Sequence, residues 1–175
     1  MAEYPDLFPP AYIAMIRAGE VGGVLEEAAQ RIVRVMNREW ALVSRRPQQD
    51  QPPCLLHPSP RPRPGDWAQM PAYQRAITLS LFLEALGMLL QSGVPVEMAL
   101  KTIALLLPQA QREAWLRAPQ ETPDDRPLSP DMERLRIFPR FAIEMIALGE
   151  ETGRLDVVAQ RLAEVFDDQT LYEES

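Results

Sequence analysis

Residues 138–156 read FPRFAIEMIALGEETGRLD, a pattern that predicts two helices joined by a short Gly-Glu-x-x-Gly turn. Phe141, Met145 and Leu148 follow one another at intervals of four and three residues, which places them on one face of a helix. Gly149 is expected to end that helix, because glycine readily adopts the left-handed conformation found just after a helix C-terminus. These residues therefore predict a helical hairpin.

The same pattern occurs a second time near the start of the chain. A shift of 130 positions places residues 8–36 on residues 138–166 without a gap, and 13 of the 29 positions are identical. The identical residues of the early copy are Phe8, Pro9, Ile13, Met15, Ile16, Gly19, Glu20, Gly23, Leu25, Ala29, Gln30, Arg31 and Val35. An internal repeat indicates one structural unit used twice, and we call the two units the first hairpin and the second hairpin.

The second helix of each hairpin begins after the turn. Thr152 is a suitable N-cap residue for it, and the corresponding Gly22 is also acceptable at that position. The apolar stripes of these helices are Leu155, Val158, Ala159, Leu162 and Phe166 in the late copy, and Leu25, Ala28, Ala29, Ile32 and Met36 in the early copy. We predict that the hairpins pack as pseudo-equivalent halves with Leu25 and Leu155 buried. Because two helices cannot make a core alone, the first hairpin must cover its stripes with the rest of the chain or with another subunit.

The glutamate after the first turn glycine, Glu20 or Glu150, has two interpretations. An exposed turn accepts almost any polar residue, so packing alone does not explain a glutamate in both copies. In the first interpretation the carboxylate accepts hydrogen bonds from backbone N–H groups at a turn or a helix end. In the second it contacts a partner or binds a cation at a subunit interface. The residues by themselves leave both open.

The repeated pattern Phe-Pro-x-x-x-x-x-Met-Ile-x-x-Gly-Glu-x-x-Gly-x-Leu resembles a known family signature. It is similar to the cytoplasmic domain of type II secretion system protein F and of its type IV pilus assembly counterpart. A second stretch agrees with this resemblance, because residues 82–100, FLEALGMLLQSGVPVEMAL, look like the opening helix pair of the same domain. The two motifs occur in the order that the family shows.

The resemblance implies an all-α fold, an antiparallel helical bundle built from helix hairpins. It also implies a scaffold without enzymatic activity at the cytoplasmic face of the inner membrane, with the assembly ATPase and inner-membrane platform proteins as partners and a homodimer as a further expectation. No cofactor is expected, except that some relatives bind calcium at a dimer interface, for which Glu150 is the position to test. The turn residues expected to form the signature or bind partners are Gly19, Glu20, Gly23, Gly149, Glu150 and Gly153. The alternative is a soluble helical adaptor or regulator derived from this family.

Composition excludes several functional classes. The 175 residues carry a net charge of −7, which argues against a nucleic-acid surface because such a surface needs a basic stripe. The most apolar window, residues 76–94, contains Glu84 and Gln91, so we predict a buried helix rather than a membrane span. No phosphate-binding glycine loop, zinc-binding helix motif or nucleophile beside a base is recognisable, and catalysis is therefore not expected.

Three segments follow from these patterns. Residues 1–46 contain the first hairpin, residues 47–65 form a Pro-rich linker, and residues 66–175 form the helical bundle. Seven prolines within the linker exclude a helix and favour an extended spacer over a Pro-rich recognition segment. In the bundle we expect one helix over residues 66–92, capped by Gly93, and a shorter helix over residues 109–117.

Overall fold

A computed structural model describes residues 10–45, 67, 72–107, 109–117 and 127–172. Eight α-helices account for most of these residues, and no strand occurs among them, so the predicted all-α class is confirmed. The helices are α1 Pro10–Gly22, α2 Leu25–Arg45, α3 Ala72–Gln91, α4 Val96–Ile103, α5 Gln109–Arg117, α6 Ser129–Leu135, α7 Arg140–Glu151 and α8 Leu155–Tyr172. A 3₁₀ turn, Ala104–Leu106, follows α4. The predicted linker at residues 47–65 lies outside the described residues.

Helix α3 lies at the centre of the bundle. Its side chains are apolar on nearly every side, and Phe82, Leu83, Leu86 and Leu89 are fully buried. Helix α8 packs along α3, and α1 and α4 also pack against it. The ring of Phe82 meets Trp115 edge-on at 5.4 Å between centroids. A helix that is hydrophobic all round has no face for water, which is why the other elements surround this one.

The turn of the second hairpin differs from the prediction. Helix α7 does not end at Gly149 but continues to Glu151. The residue with a positive φ is Gly153, at 66°, and the N–H groups of Gly153 and Arg154 donate to the carbonyl groups of Glu150 and Gly149 at 3.3 and 2.8 Å. This is the bonding of a Schellman cap, in which the residue after the helix is left-handed. The second glycine of the motif, rather than the first, therefore ends the helix.

The predicted N-cap role of Thr152 is also wrong. Its hydroxyl donates to the carbonyl oxygen of Leu148 at 2.7 Å, so it belongs to the C-terminal end of α7. Helix α8 begins three residues later, at Leu155.

The first glycine of each motif has a different role, which is to let the two helices of a hairpin approach closely. A Cβ atom added at Gly149 would lie 3.1 Å from the Cβ atom of Val158. At Gly19 the added atom would lie 2.7 Å from the Cβ atom of Ala28. Both glycines are buried at this contact. Glycine is needed at each position because a side chain would collide with the neighbouring helix, and not because the backbone must adopt a special conformation.

The two hairpins pack on α3 mainly through different helices, and the prediction of pseudo-equivalent halves is wrong. The first hairpin packs through α1, whose Met15 is fully buried. The second hairpin packs through α8, which leaves the corresponding Met145 on α7 40% exposed. Leu25, predicted to be buried, is exposed on α2, and its counterpart Leu155 is half-buried. The physical reason is that α1 makes the main packing contact of the first hairpin with α3, whereas α8 makes that of the second hairpin.

Candidate functional site

Glu150 lies at the junction of α6 and α7. Its carboxylate accepts hydrogen bonds from the backbone N–H groups of Leu128 and Ser129 and, at 2.8 Å, from the Ser129 hydroxyl. Leu128 is the residue before the first turn of α6. The carboxylate therefore satisfies N–H groups that a helix leaves unpaired at its start and faces the positive end of the helix dipole. This geometry agrees with the first interpretation of the motif glutamate, in which its carboxylate accepts hydrogen bonds from backbone N–H groups at a helix end.

Glu20, the same residue of the first hairpin, makes no such contact. It is exposed on α1, and none of the described hydrogen bonds or ion pairs involves it. An equivalent of α6 does not stand beside α1 in the described part of the chain. The identical turn glutamates thus differ because their neighbours differ.

Calcium binding at Glu150 stays a prediction. In the part of the chain that the structure describes, no group of three or more His, Cys, Asp or Glu side chains could hold a metal ion. Both oxygen atoms of Glu150 already accept hydrogen bonds from α6. A calcium titration of the intact chain by isothermal calorimetry tests the prediction.

Replacing Glu150 with alanine should lower the free energy of unfolding by about 1–2 kcal/mol, because α6 loses the acceptor for its first N–H groups. Urea denaturation followed by circular dichroism measures this loss. Glu20→Ala is the matched control and should change stability by less than about 0.5 kcal/mol, since Glu20 is exposed. Equal losses in the two variants would contradict the capping role of Glu150.

A buried ionic cluster, which the sequence analysis missed, joins the first hairpin to α3 and α8. Arg31 of α2 is only 3% exposed. Its guanidinium group contacts both carboxylate oxygens of Asp167 on α8, one of them at 2.7 Å, and its Nε atom lies 2.7 Å from a carboxylate oxygen of Glu84 on α3. Arg31 also donates to the hydroxyl of Ser80, and this hydroxyl lies 2.6 Å from Asp167. A buried guanidinium is therefore paired and hydrogen-bonded on several sides, as burial of charge requires.

Local sequence contains little signal for this cluster. Arg31 is identical to Arg161 of the second hairpin, yet Arg161 is 74% exposed and pairs with Glu164 on its own helix. Glu84 stands out in the sequence only as a charge inside an apolar run. The one available signal is that Arg31 shares a helix face with the small apolar residues Ala28 and Val35.

A polar groove of about 580 Å³ lies beside this cluster, between α2, α3 and α8. Arg34 reaches across it to Glu84 at 3.3 Å. The lining residues are Gly22, Val24, Glu27, Gln30, Arg34, Glu84, Met88, Gln91, Ser92 and Gln160. Their amide and hydroxyl groups can bind polar groups, while the carboxylate of Glu84 is already engaged by two arginines.

An apolar strip marks the outer surface of α7. Phe141, Met145 and Leu148, predicted to share one helix face, do so, and all three are exposed. Phe141 rests against Phe166 with 5.8 Å between ring centroids, which anchors one end of the strip to α8. We call these three residues the α7 strip.

Across the described ranges, no helix combines the length and the apolar character that a bilayer crossing requires.

Comparison with known proteins relates this chain to one protein family. The family model for type II secretion system (T2SS), protein F, matches residues 82–174, from the middle of α3 to beyond the end of α8. The chain is 34% identical over 86 residues to the type II secretion system protein F of Xanthomonas campestris pv. campestris, an alignment that covers 49% of this chain and 21% of the relative. It is 25% identical over 96 residues to the type IV pilus assembly protein PilC of Myxococcus xanthus, which covers 54% of this chain and 23% of the relative.

The chain thus spans about a fifth of the length of these relatives. No solved structure matches it significantly. The first hairpin lies outside the region matched by the family model, although it carries the same signature. Because the match at residues 82–174 covers more than half of the chain, this chain belongs to the type II secretion system protein F family, to which its resemblance to a type IV pilus assembly protein also points.

Proposed function

We propose that this chain is a non-enzymatic scaffold of a type II secretion or type IV pilus assembly system. It acts at the cytoplasmic face of the inner membrane and docks the assembly ATPase and inner-membrane platform proteins. Family membership and the names of the two relatives support a role in such a system. The structural observation that carries the docking role is the exposed α7 strip.

The α7 strip has the properties of a docking surface. Its three large apolar side chains lie on consecutive turns of one helix, and contiguous exposed apolar surface of this kind is characteristic of interaction sites. Its supports are rigid, because α7 packs on α8 and Glu150 ties its C-terminal end to α6. A rigid helix face loses little conformational entropy when a partner binds. In this proposal Gly149 and Glu150 keep α7 in position, while the α7 strip contacts the partner.

Affinity capture from extracts of the source cells tests this function. The tagged full chain is compared with the double variant Met145→Asp, Leu148→Asp, and retained assembly ATPase and platform protein are measured by immunoblot. We expect the double variant to reduce recovery by about tenfold or more, because interface centres of this kind are worth about 2 kcal/mol or more.

The matched control is Val96→Asp, Met98→Asp, which changes two exposed apolar residues on α4 and should leave recovery unchanged. Folding of each variant is checked by circular dichroism. If the parent chain retains neither component from an extract that contains both, the scaffold role is wrong and the adaptor alternative becomes the better one.

A further inference from the structure

We propose that the outer face of the second hairpin binds an apolar α-helix of another protein, and that Arg161 pairs with a carboxylate of that helix. The outer face consists of the α7 strip together with Arg161 and Val165 of α8. The side chain of Arg161 is 74% exposed, and Val165 is 43% exposed. This inference rests on the proposed docking role of the α7 strip and adds the chemistry of the partner.

The outer face is continuous across the two helices of the hairpin. Val158, Arg161 and Val165 follow one another on α8 at intervals of three and four residues, which places them on one side of that helix. Val158 lies at the junction with α7, because an added Cβ atom at Gly149 would be 3.1 Å from its Cβ atom. Since Arg161, Val165 and the α7 strip are all exposed, they lie together on the solvent side of this junction.

The first hairpin shows what such a face binds, because there the equivalent face packs against α3. Gly22 meets α3, since an added Cβ atom would lie 3.4 Å from the Leu89 side chain. Met15 lies seven residues before Gly22, which is two turns away on the same side of α1, and it is fully buried. The buried residues of the first hairpin that correspond to Met145, Leu148, Arg161 and Val165 are Met15, Ala18, Arg31 and Val35. The repeated unit therefore has one face that an apolar helix covers in the first hairpin, and the described part of the chain leaves it exposed in the second.

Arg31 shows the polar part of this contact. Its Nε atom lies 2.7 Å from a carboxylate oxygen of Glu84 on α3, and its guanidinium group contacts both carboxylate oxygens of Asp167. Arg161, the same residue of the repeat, pairs with Glu164 of its own helix at 2.9 Å. Such a solvated pair contributes little to stability, so Arg161 can exchange it for a carboxylate of a partner. A carboxylate within the apolar side of the partner helix would then correspond to the acidic groups around Arg31.

The partner is not the α3 helix of a second copy. The side of α3 that would meet this face carries Glu84 and Leu89, and in each copy the first hairpin already covers it. Removing the first hairpin would return fully buried apolar side chains such as Met15 to water, which is unfavourable. The structure therefore favours an apolar helix with a carboxylate, supplied by another protein.

A pair of model peptides tests this chemistry. The acidic peptide is a helix of about 20 residues, roughly 30 Å long, with leucine and alanine on one side, glutamine on the other and one aspartate at the centre of the apolar side. The basic peptide has lysine in place of the aspartate. Each peptide is labelled with fluorescein and titrated with the full chain, and binding is followed by fluorescence anisotropy.

We expect the parent chain to bind the acidic peptide at least about tenfold more tightly than the basic peptide, because opposite charges across an interface favour the complex and like charges oppose it. Arg161→Glu should reverse this preference. The matched control is Arg117→Glu, which makes the same charge change at an exposed arginine of α5 and should leave the preference unchanged. Circular dichroism checks that each variant is folded.

Equal affinity of the parent chain for the two peptides, absence of binding, or an unchanged preference in Arg161→Glu would overturn the proposal. So would a dimer in sedimentation experiments that Arg161→Glu dissociates, because a second copy would then occupy the face. If the parent chain captures the assembly components from extracts but lacks the peptide preference, the partner chemistry is wrong and the scaffold role stands. If the preference is present but neither component is captured, the scaffold role is wrong and the helix-binding face is supported.

Discussion

Arg31→Ala should destabilise the protein by about 3–5 kcal/mol, the largest loss that we expect from a single polar substitution. The substitution removes the guanidinium group and leaves the carboxylates of Asp167 and Glu84 in a site where Asp167 is buried. Breaking a buried ion pair by removing one partner typically costs this much, and Arg31 is the cation that contacts both carboxylate oxygens of Asp167. Chemical denaturation in urea, followed by circular dichroism, gives the change in the free energy of unfolding.

Arg161→Ala is the matched control, because Arg161 is the same residue of the repeat on an exposed surface. Its pair with Glu164 spans only three positions of one helix and is largely solvated, so we expect a loss of about 0.5 kcal/mol or less. A further variant distinguishes the stability lost with the ion pair from the stability lost with the packing of the Arg31 side chain. Arg31→Met combined with Asp167→Leu should recover much of the stability, since apolar residues of similar volume can replace a buried pair. Similar losses for Arg31→Ala and Arg161→Ala would contradict the account of the cluster.

Met15→Ala should lower the free energy of unfolding by about 2–5 kcal/mol. Met15 is fully buried where α1 packs on the bundle, and its truncation removes apolar contacts and leaves a cavity. We expect the first hairpin of the variant to detach from the bundle at a lower urea concentration than in the parent protein. Hydrogen exchange of the α1 amides, read by mass spectrometry, reports this step separately from global unfolding.

The corresponding control is Met145→Ala on α7. Met145 occupies the same repeat position but is 40% exposed, so the loss should be about 1 kcal/mol or less. Equal effects of the two methionine substitutions would mean that the hairpins pack equivalently, which contradicts the structure.

Much of the local structure could be predicted from the sequence. The intervals of three and four residues on α7 and α8 predict helices, and the paired glycines predict a turn between them. A helix predicted at residues 109–117 coincides with α5, Gln109–Arg117. The long helix predicted at residues 66–92 is described from Ala72 to Gln91. Such features depend on contacts within a few residues, so the chain encodes them locally.

The errors arise at the turn, where local rules compete. Both glycines of the motif are acceptable helix ends by composition, and the apolar face alone favours the first because Gly149 follows that face directly. In the structure the first glycine is needed for close helix contact and the second for a left-handed residue. The position of the neighbouring helix, which separates these roles, is not a local property.

The sequence by itself determined the helical class, the repeated hairpin and the resemblance to the protein F family, because helix periodicity and turn residues act within a few positions of the chain. Only the tertiary structure decided which face each hairpin buries, why Glu150 caps α6 while Glu20 remains exposed, and why Arg31 is buried while Arg161 is solvated. Identical residues at the same repeat positions, such as Glu20 and Glu150 or Arg31 and Arg161, cannot differ by their own preferences. They differ because α3 binds the first hairpin through α1 and the second through α8, and burial of a side chain depends on the partner that reaches it.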